Sequence, residues 1–290
     1  MRTLERLFGT IEGARVLDPV AGAVAAAADR ALPGPARNLL HGVVLGHPAH
    51  AVLTDLPIGF FTGAAVLDLG GGGTGKAARR FVGLGLLTAV PTAAAGLADW
   101  VALGQAKRER RVGLVHAAAN ATALTCYALS YRARGRDRRA AGVGLSLLGL
   151  GAMTAGGALG GHLAFRQKVG VNHAPAPPQG GPWTDVCAGD DLVERRLTKV
   201  TLGDTEVLLV RTGSAVRALA NTCSHLGGPL SDGELTEVGG VDCAICPWHG
   251  SAFALTDGRV VRGPATAPQP VYDARLHGGQ VQVRLQAPGG

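Results

Sequence analysis

Apolar and polar residues divide the chain into two parts with different patterns. In the first part, four stretches of roughly 20 mostly apolar residues follow one another, the length that a membrane-spanning helix needs. They cover about residues 48–69, 81–103, 112–131 and 142–165. Glycine-rich or strongly basic segments separate them, and small residues are frequent inside them, as in helices that pack closely in lipid. The pattern predicts a four-span membrane domain over residues 43–170.

A buried, soluble helical bundle is the alternative interpretation of the same stretches. Such a bundle would show charged side chains in stripes at helical spacing, and the four stretches show no such stripe. Composition also favours the membrane interpretation, because hydrophobic residues make up 47% of the chain and charged residues only 17%. Ahead of the first span, residues 1–42 alternate arginines with apolar residues, which predicts an amphipathic N-terminal tail without a secretory signal.

The second part of the chain begins with a change of composition. Residues 171–182 are rich in proline and glycine, which predicts an extended tether. Beyond it, residues 183–290 contain short β-type runs separated by Gly, Asp and Asn, typical of a small antiparallel barrel or sandwich. The predicted fold class is therefore an N-terminal all-α four-helix transmembrane bundle joined to a C-terminal all-β domain.

Charge adds information about partners and location. The 28 Lys and Arg exceed the 21 Asp and Glu, but many of them lie in short loops between the apolar stretches, as membrane flanks do. This placement argues against a nucleic-acid partner. The basic residues are equally numerous on the two sides, so they leave the orientation open. The odd count of five cysteines favours a reducing compartment. The predicted location is the cell membrane, multi-pass, with the β domain in the cytoplasm.

Ionisable side chains inside membrane spans are costly and are functional candidates by default. Because successive spans run in opposite directions, six such residues are expected at the same end of the bundle. They are His47, His50, Asp55, Asp99, His116 and His162. Asp68 is expected at the other end. Pairs of His on facing helices of a bundle can hold haem iron, and His50, His116 and His162 are the preferred candidates for haem b.

Other interpretations of these residues stay open. His with carboxylate could bind another metal, relay protons or line a quinone site, and the residues could also only cap helix ends at the lipid interface. The stretch LLHGVVLGHPAHAVLTDLPIGFFTGAAVLDL, with GLADW and GGHLAF further along, resembles an uncharacterised family of four-span bacterial membrane proteins. The resemblance implies a membrane domain with histidines and brings no established chemistry.

Two turns of the β-type region each carry a cysteine and a histidine. NTCSHLGGPL contains Cys223-x-His225, and CPWHGSAF contains Cys246-x-x-His249. The short spacing lets one tight turn aim a thiolate and an imidazole at the same centre, and the glycines of both turns let the backbone approach it closely. Tetrahedral zinc and a 2Fe-2S cluster both use such ligands.

The sequences around these ligands resemble Rieske ferredoxin-like domains over about residues 183–285, including the later stretch GRVVRGPATAPQPVYDARL. The resemblance implies a 2Fe-2S cluster with both cysteines on one iron and both histidines on the other. High-potential members have an additional disulfide, where this chain has Gly228 and Trp248. They also have a Ser and a Tyr near the cluster; Ser251 is kept, but Phe253 replaces the tyrosine. Fewer hydrogen bonds predict a lower reduction potential.

These features predict a membrane-tethered electron-transfer protein, with the 2Fe-2S cluster exchanging single electrons at its histidine edge. The partner is a cofactor in the bundle or a soluble or membrane redox protein, and quinone is a further candidate. A redox sensor whose membrane half is an anchor or channel-like module is the alternative. The sequence shows no motif for catalytic mononuclear iron, nicotinamide or flavin, so whether the chain is an enzyme stays open, with an oxidoreductase component as the candidate.

Overall fold

The structure is a computed structural model that describes residues 2–32, 34–70, 72–175 and 181–285. Part of the predicted tether, residues 176–180, lies outside the described residues, as do residue 33 of the predicted tail and residues 286–290. The chain forms two compact units. The helical unit comprises Met1–Ala36 and Ala49–Val169, and the β unit comprises Arg37–Pro48 and Gly170–Gly290.

The helical unit is built around four long helices that, by length and composition, could each cross a membrane within the described part of the chain. They are α4 (Ala49–Leu69), α5 (Gly75–Val101), α6 (Lys107–Arg134) and α7 (Arg139–Phe165), preceded by α1 (Arg2–Gly13), α2 (Asp18–Ala31) and α3 (Gly34–His41). The predicted all-α bundle is confirmed. Helix α5 begins six residues before the predicted span, because Lys76 and Arg79 are good helix formers whose stems can lie along apolar surface.

Small residues allow the long helices to approach closely around an aromatic pair. Phe61 of α4 stacks on Tyr127 of α6, with ring centroids 3.7 Å apart and planes 4° from parallel. A Cβ on Gly85 would lie 2.5 Å from the Phe61 ring, and one on Gly149 would lie 3.0 Å from the Tyr127 ring. Glycine at these positions is therefore a packing requirement, as expected for helices that associate through small residues.

A proline inside α4 is compensated by a neighbouring helix. Pro57 has no N–H, so the carbonyl of Leu53 loses its usual helical donor. The Thr92 hydroxyl of α5 donates to that carbonyl at 3.1 Å. An interhelical hydrogen bond of this kind is how a helix without access to water satisfies a freed carbonyl, and it fixes Thr92 against α4.

Charged residues are paired at both ends of the bundle. The Arg111 guanidinium of α6 binds both carboxylate oxygens of Asp18 in α2, at 2.6 and 2.7 Å, and this contact lowers the pKa of Asp18. Elsewhere, Arg134 binds both carboxylate oxygens of Asp68, and the pair is almost fully buried. Each of these contacts joins residues far apart in sequence, so the pairs hold the helices together as well as satisfying charge.

The β unit contains two antiparallel sheets within the described residues. The strands are β1 (Thr184–Ala188), β2 (Thr198–Leu202), β3 (Thr205–Thr212), β4 (Ala215–Ala220), β5 (Glu234–Val238), β6 (Val241–Ile245), β7 (Ala252–Ala254), β8 (Val260–Arg262), β9 (Val271–His277) and β10 (Gln280–Leu285). One sheet has the order β1-β10-β9-β4-β3-β2, and the other has the order β5-β6-β7-β8. The predicted all-β domain is confirmed.

Strand β3 is buried on both faces, which explains its unbroken apolar run. Leu208 and Val210 pack in one core with Phe253, whereas Val207 and Leu209 pack in a second core. The smaller sheet begins with a hairpin whose turn, Gly239–Gly240, has φ of +60° and +79°. Two successive residues with positive φ are typical of a tight hairpin turn. The hairpin lies between the two Cys-His turns, where it lengthens the gap between the candidate ligands.

Candidate metal centre

The two Cys-His loops of the β unit close in the same way. In the first, the N–H of Cys223 donates to the carbonyl of Gly228, and the N–H of Gly227 donates back to Cys223. In the second, the N–H of Cys246 donates to the carbonyl of Ser251, and the N–H of Gly250 donates back to Cys246. The glycine four residues after each cysteine has φ near +80°, at +79° and +75°, where a side chain would be strained.

The repeated turn brings the two thiols together. Cys223 and Cys246 are both buried and hydrogen-bonded to each other. The Cys223 thiol lowers the pKa of Cys246 to about 6, helped by backbone N–H groups of Trp248 and His249. The pKa of Cys223 is raised by the same contact and by burial, while N–H groups of its own loop act in the opposite direction. Backbone N–H groups directed at both sulfurs favour thiolates, the form that binds metal.

The two imidazoles form a second pair. The ring centroids of His225 and His249 are 4.9 Å apart and their planes are 84° from parallel. Burial, and then the nearby His249, His41 and His173, lower the pKa of His225 to about 3, so its imidazole is neutral. Its Nδ1 is buried and has no hydrogen-bond partner among the described residues. A neutral imidazole with an unpartnered buried nitrogen fits a metal ligand.

Paired thiols and paired imidazoles therefore match the donor set of a 2Fe-2S cluster with two sulfur and two nitrogen ligands. Cys243, only three residues before Cys246, lies instead in a separate small core with Ile245 and Ala252. Its thiol is within hydrogen-bond distance of the carbonyl of Val241.

Two polar side chains brace the loops, and of these only Ser251 was identified in the sequence. The Gln269 side chain is buried, donates to the carbonyls of Ala220 and Thr222, and accepts from the N–H of Ser224. The Ser251 hydroxyl accepts from the N–H of Ala265 at 3.0 Å. These contacts fix both loops from the segment that carries Ala265 and Gln269. Nothing about Gln269 in the sequence marks this role.

Residues 37–48 also belong to the β unit, although 120 or more residues separate them from its strands. The Asn38 amide donates to the carbonyl of Val261 at 3.2 Å, and its oxygen accepts from the N–H of Gly263 at 3.0 Å. His41 is buried, and a Cβ on Gly263 would lie 3.2 Å from its ring. This segment supports the turn that carries Ala265, the donor to Ser251.

In the helical unit, the structure brings together two of the preferred histidines. The ring centroids of His50 and His116 are 6.3 Å apart and their planes are 84° from parallel. The Nε2 of His162 instead lies 2.7 Å from a carboxylate oxygen of Glu12 in α1, and its ring lies 4.5 Å from that of Phe8. Asp55 of α4 is exposed, and His47, also exposed, belongs to the β unit rather than to the helical one.

Comparisons with known proteins match each of the two parts of the chain to a family model. Residues 182–273 match the family model of the Rieske [2Fe-2S] domain, and residues 46–173 match that of a predicted membrane protein family, DUF2231. Over 102 residues, 35% of the chain, it is 31% identical to ferredoxin CarAc of Metapseudomonas resinovorans and covers 92% of that protein. It is 30% identical over 123 residues, 42% of the chain, to human apoptosis-inducing factor 3, but spans only 20% of its length.

A solved structure covers the same part of the chain. The ferredoxin of carbazole 1,9a-dioxygenase from Nocardioides aromaticivorans is 28% identical to this chain in sequence. The match covers 37% of this chain and 99% of that ferredoxin, with a TM-score of 0.33.

Proposed function

Because the chain belongs to the Rieske [2Fe-2S] domain family through its β unit and to the DUF2231 membrane family through its long helices, we propose that it is a membrane-anchored one-electron carrier. The carrier is the 2Fe-2S cluster. Its ligands are Cys223 and Cys246 on one iron and His225 and His249 on the other. The pairing of thiols with thiols and imidazoles with imidazoles in two matching turns is the observation that supports this assignment.

The protein's contribution is to hold both redox states of the cluster in one geometry. The cluster supplies a one-electron couple when bound. Backbone N–H groups of both turns are placed to bond the thiolate sulfurs, and Gln269 and Ser251 fix the turns from outside. Trp248, between two ligands in sequence, is 56% exposed, so a redox partner can reach this edge of the loops.

The reduction potential is expected to be low for a Rieske centre. A side chain at Gly228 would lie 2.9 Å from Trp248 and 3.0 Å from the Cys246 sulfur. The two positions that form a disulfide in high-potential members therefore hold a glycine next to a tryptophan ring in this chain. Phe253 is buried in the core and offers no hydroxyl. Fewer hydrogen bonds stabilise the reduced cluster less, which places its potential towards the lower end of the roughly −150 to +300 mV range.

The partner and the side of the membrane are part of the same proposal. Cys126, Cys187 and Cys243, the cysteines outside the ligand set, form no disulfide in the described structure, which supports a reducing compartment and hence a cytoplasmic β unit. CarAc is a ferredoxin, and by likeness the partner is a redox protein that takes single electrons. The chain then acts as a component of an oxidoreductase system.

Electron paramagnetic resonance of the full chain, purified from membranes and titrated with reductant, tests this function. The wild-type protein should give a Rieske signal with a potential in the lower part of the range. Cys246→Ser should abolish the signal, whereas Cys243→Ser, a matched change three residues away, should keep it. A strongly positive potential would contradict the hydrogen-bond argument, and a signal that survives Cys246→Ser would contradict the ligand assignment.

A further inference from the structure

A groove at one end of the helical unit combines arginines with apolar side chains. It has a volume of about 460 Å³ and lies where α6 ends and α7 begins. We infer that it binds the headgroup of an anionic phospholipid, with an acyl chain along its apolar part. The inference rests on contacts of the helical unit alone and is independent of the proposed electron transfer. The lining residues include Arg132, Arg136, Arg138, Leu129, Ala141 and Leu145.

The three arginines of the groove have no counter-ion from the protein. Among the residues that the structure describes, none forms a hydrogen bond or ion pair with the guanidinium group of Arg132, Arg136 or Arg138. Asp137 lies between two of them in the chain and is not paired with either. Like charges in one groove repel each other, and a bound anion relieves that repulsion. Phosphate oxygens match the fork of donors that an arginine side chain presents.

Neighbouring arginines at the same end of the bundle do have partners in the protein. Arg134 binds both carboxylate oxygens of Asp68. The guanidinium of Arg79, from α5, lies 4.4 Å from the centre of the Tyr131 ring. The charges that hold the bundle together are thus already paired with one another or with a ring. The three groove arginines are left to an anion from outside the chain.

A capped turn fixes the backbone that carries two of the groove arginines. The N–H groups of Arg136 and Arg138 both donate to the carbonyl of Ala133 at 3.0 Å, and the N–H of Asp137 donates to the carbonyl of Arg134. Asp137 has a φ of +57°, and together these bonds form the Schellman arrangement that ends a helix. Because the backbone satisfies these last carbonyls of α6, the arginine side chains are not needed to cap the helix.

The apolar part of the groove favours a lipid over a soluble anion. Leu129, about one helical turn before Arg132, is 48% exposed, and Ala141 and Leu145 lie one turn apart on α7. A free phosphate ion gains nothing from these side chains, whereas an acyl chain does. Both helices are long and apolar enough to cross a membrane, so the end of a span is where headgroups meet acyl chains. Basic pockets between transmembrane helices bind anionic lipid headgroups.

Native mass spectrometry of the full chain, purified in a neutral detergent and titrated with phosphatidylglycerol, tests the inference. The wild-type protein should bind one phosphatidylglycerol more tightly than further copies, and more tightly than it binds zwitterionic phosphatidylcholine. An excess of inorganic phosphate should not displace the lipid. Equal affinity for phosphatidylcholine would overturn the role of the arginines, and displacement by phosphate would show a site for a soluble anion instead.

Two charge variants with the same spacing separate the groove from net charge. Arg132→Gln combined with Arg136→Gln should weaken binding of the first phosphatidylglycerol about 25-fold, since each basic residue at an anionic lipid surface contributes roughly fivefold. The matched control is Lys76→Gln combined with Arg80→Gln, two exposed positions of α5 outside the groove, and it should keep the wild-type affinity. Equal weakening in both variants would mean that net charge, and not the groove, attracts the lipid.

Two further variants test the groove without removing charge. Ala141→Phe should fill its apolar part and lower the affinity for phosphatidylglycerol while all three arginines remain. Arg132→Lys combined with Arg136→Lys should keep part of the affinity, because the charge stays and only the fork of donors is lost. Helical circular dichroism should be the same in all variants. Wild-type affinity in Ala141→Phe, or in the variant with both glutamines, would overturn the proposed site.

Discussion

Each unit of this protein holds a pair of nearly perpendicular imidazoles, and the two pairs differ in which nitrogen is left over. In the β unit, His225 and His249 have centroids 4.9 Å apart, and the buried Nδ1 of His225 has no partner among the described residues. In the helical unit, His50 and His116 are 6.3 Å apart, and both Nδ1 atoms are bonded to carbonyls. The first pair therefore leaves a buried ring nitrogen available to a metal, whereas backbone carbonyls hold both rings of the second pair.

The units also share a bidentate Arg–Asp pair in opposite surroundings. The side chains of Arg134 and Asp68 in the helical unit are 3% and 6% exposed, whereas those of Arg195 and Asp242 in the β unit are 50% and 37% exposed. The contact geometry is similar in both pairs. Surroundings, more than geometry, therefore decide how much each pair contributes to stability.

The largest expected effect is the loss of the cluster when its imidazole pair is broken. His225→Ala removes one of two nitrogen ligands, so the Rieske signal in electron paramagnetic resonance should disappear. His277→Ala, at an exposed position of the same unit, should leave the signal unchanged. A Rieske signal that persists in His225→Ala would contradict the assignment of His225 as a ligand of the cluster.

Local patterns account for what could be predicted of the β unit. The spacing of the ligands and the glycine four residues after each cysteine could be recognised in the sequence, because each turn closes over only a few residues. Gln269 and Asn38 could not be predicted, since they brace the loops from about 45 and 220 residues away in sequence. Their residue types carry no mark of that role, and only the folded chain brings them to the loops.

In the helical unit, the spans and a group of facing histidines were predicted, but not which two of the histidines would meet. Hydropathy gives the depth of a residue in a span, but the rotation of each helix about its axis decides which side chains meet. That rotation follows from contacts such as Phe61 on Tyr127. Glu12, in the predicted amphipathic tail, then takes His162 as its partner, a contact between residues 150 positions apart that no periodicity shows.

A smaller but still large effect is expected from the buried Arg–Asp pair. Asp68→Asn leaves the Arg134 charge buried without its counter-ion, which should lower the free energy of unfolding by about 3–5 kcal/mol. The Ser130 and Ser146 hydroxyls, which also contact the guanidinium, cannot neutralise it. Thermal unfolding of the purified protein in detergent, followed by loss of helical circular dichroism, measures the change.

The control for this variant removes both charges together. Asp68→Leu combined with Arg134→Met replaces the pair by apolar side chains, so no buried charge is left uncompensated. The double variant should be clearly more stable than Asp68→Asn. If the single and the double variant are equally destabilised, the lost stability comes from packing rather than from the unpaired charge. Burial of the charges would then not explain why this pair differs from the exposed pair.

The smallest effect is expected from the exposed pair. Arg195→Gln should lower the free energy of unfolding only slightly, and less at high salt, because solvent screens the pair. Arg195 holds the pKa of Asp242 below its usual 3.8 in the folded protein. The contribution is therefore fully present above that value and is lost as the pH falls through the lowered folded pKa. Urea unfolding at low salt, followed by bleaching of the cluster, should give the same difference at pH 6 and pH 8. An effect as large as that of Asp68→Asn would mean that geometry, rather than burial, sets the strength of an Arg–Asp pair in this protein.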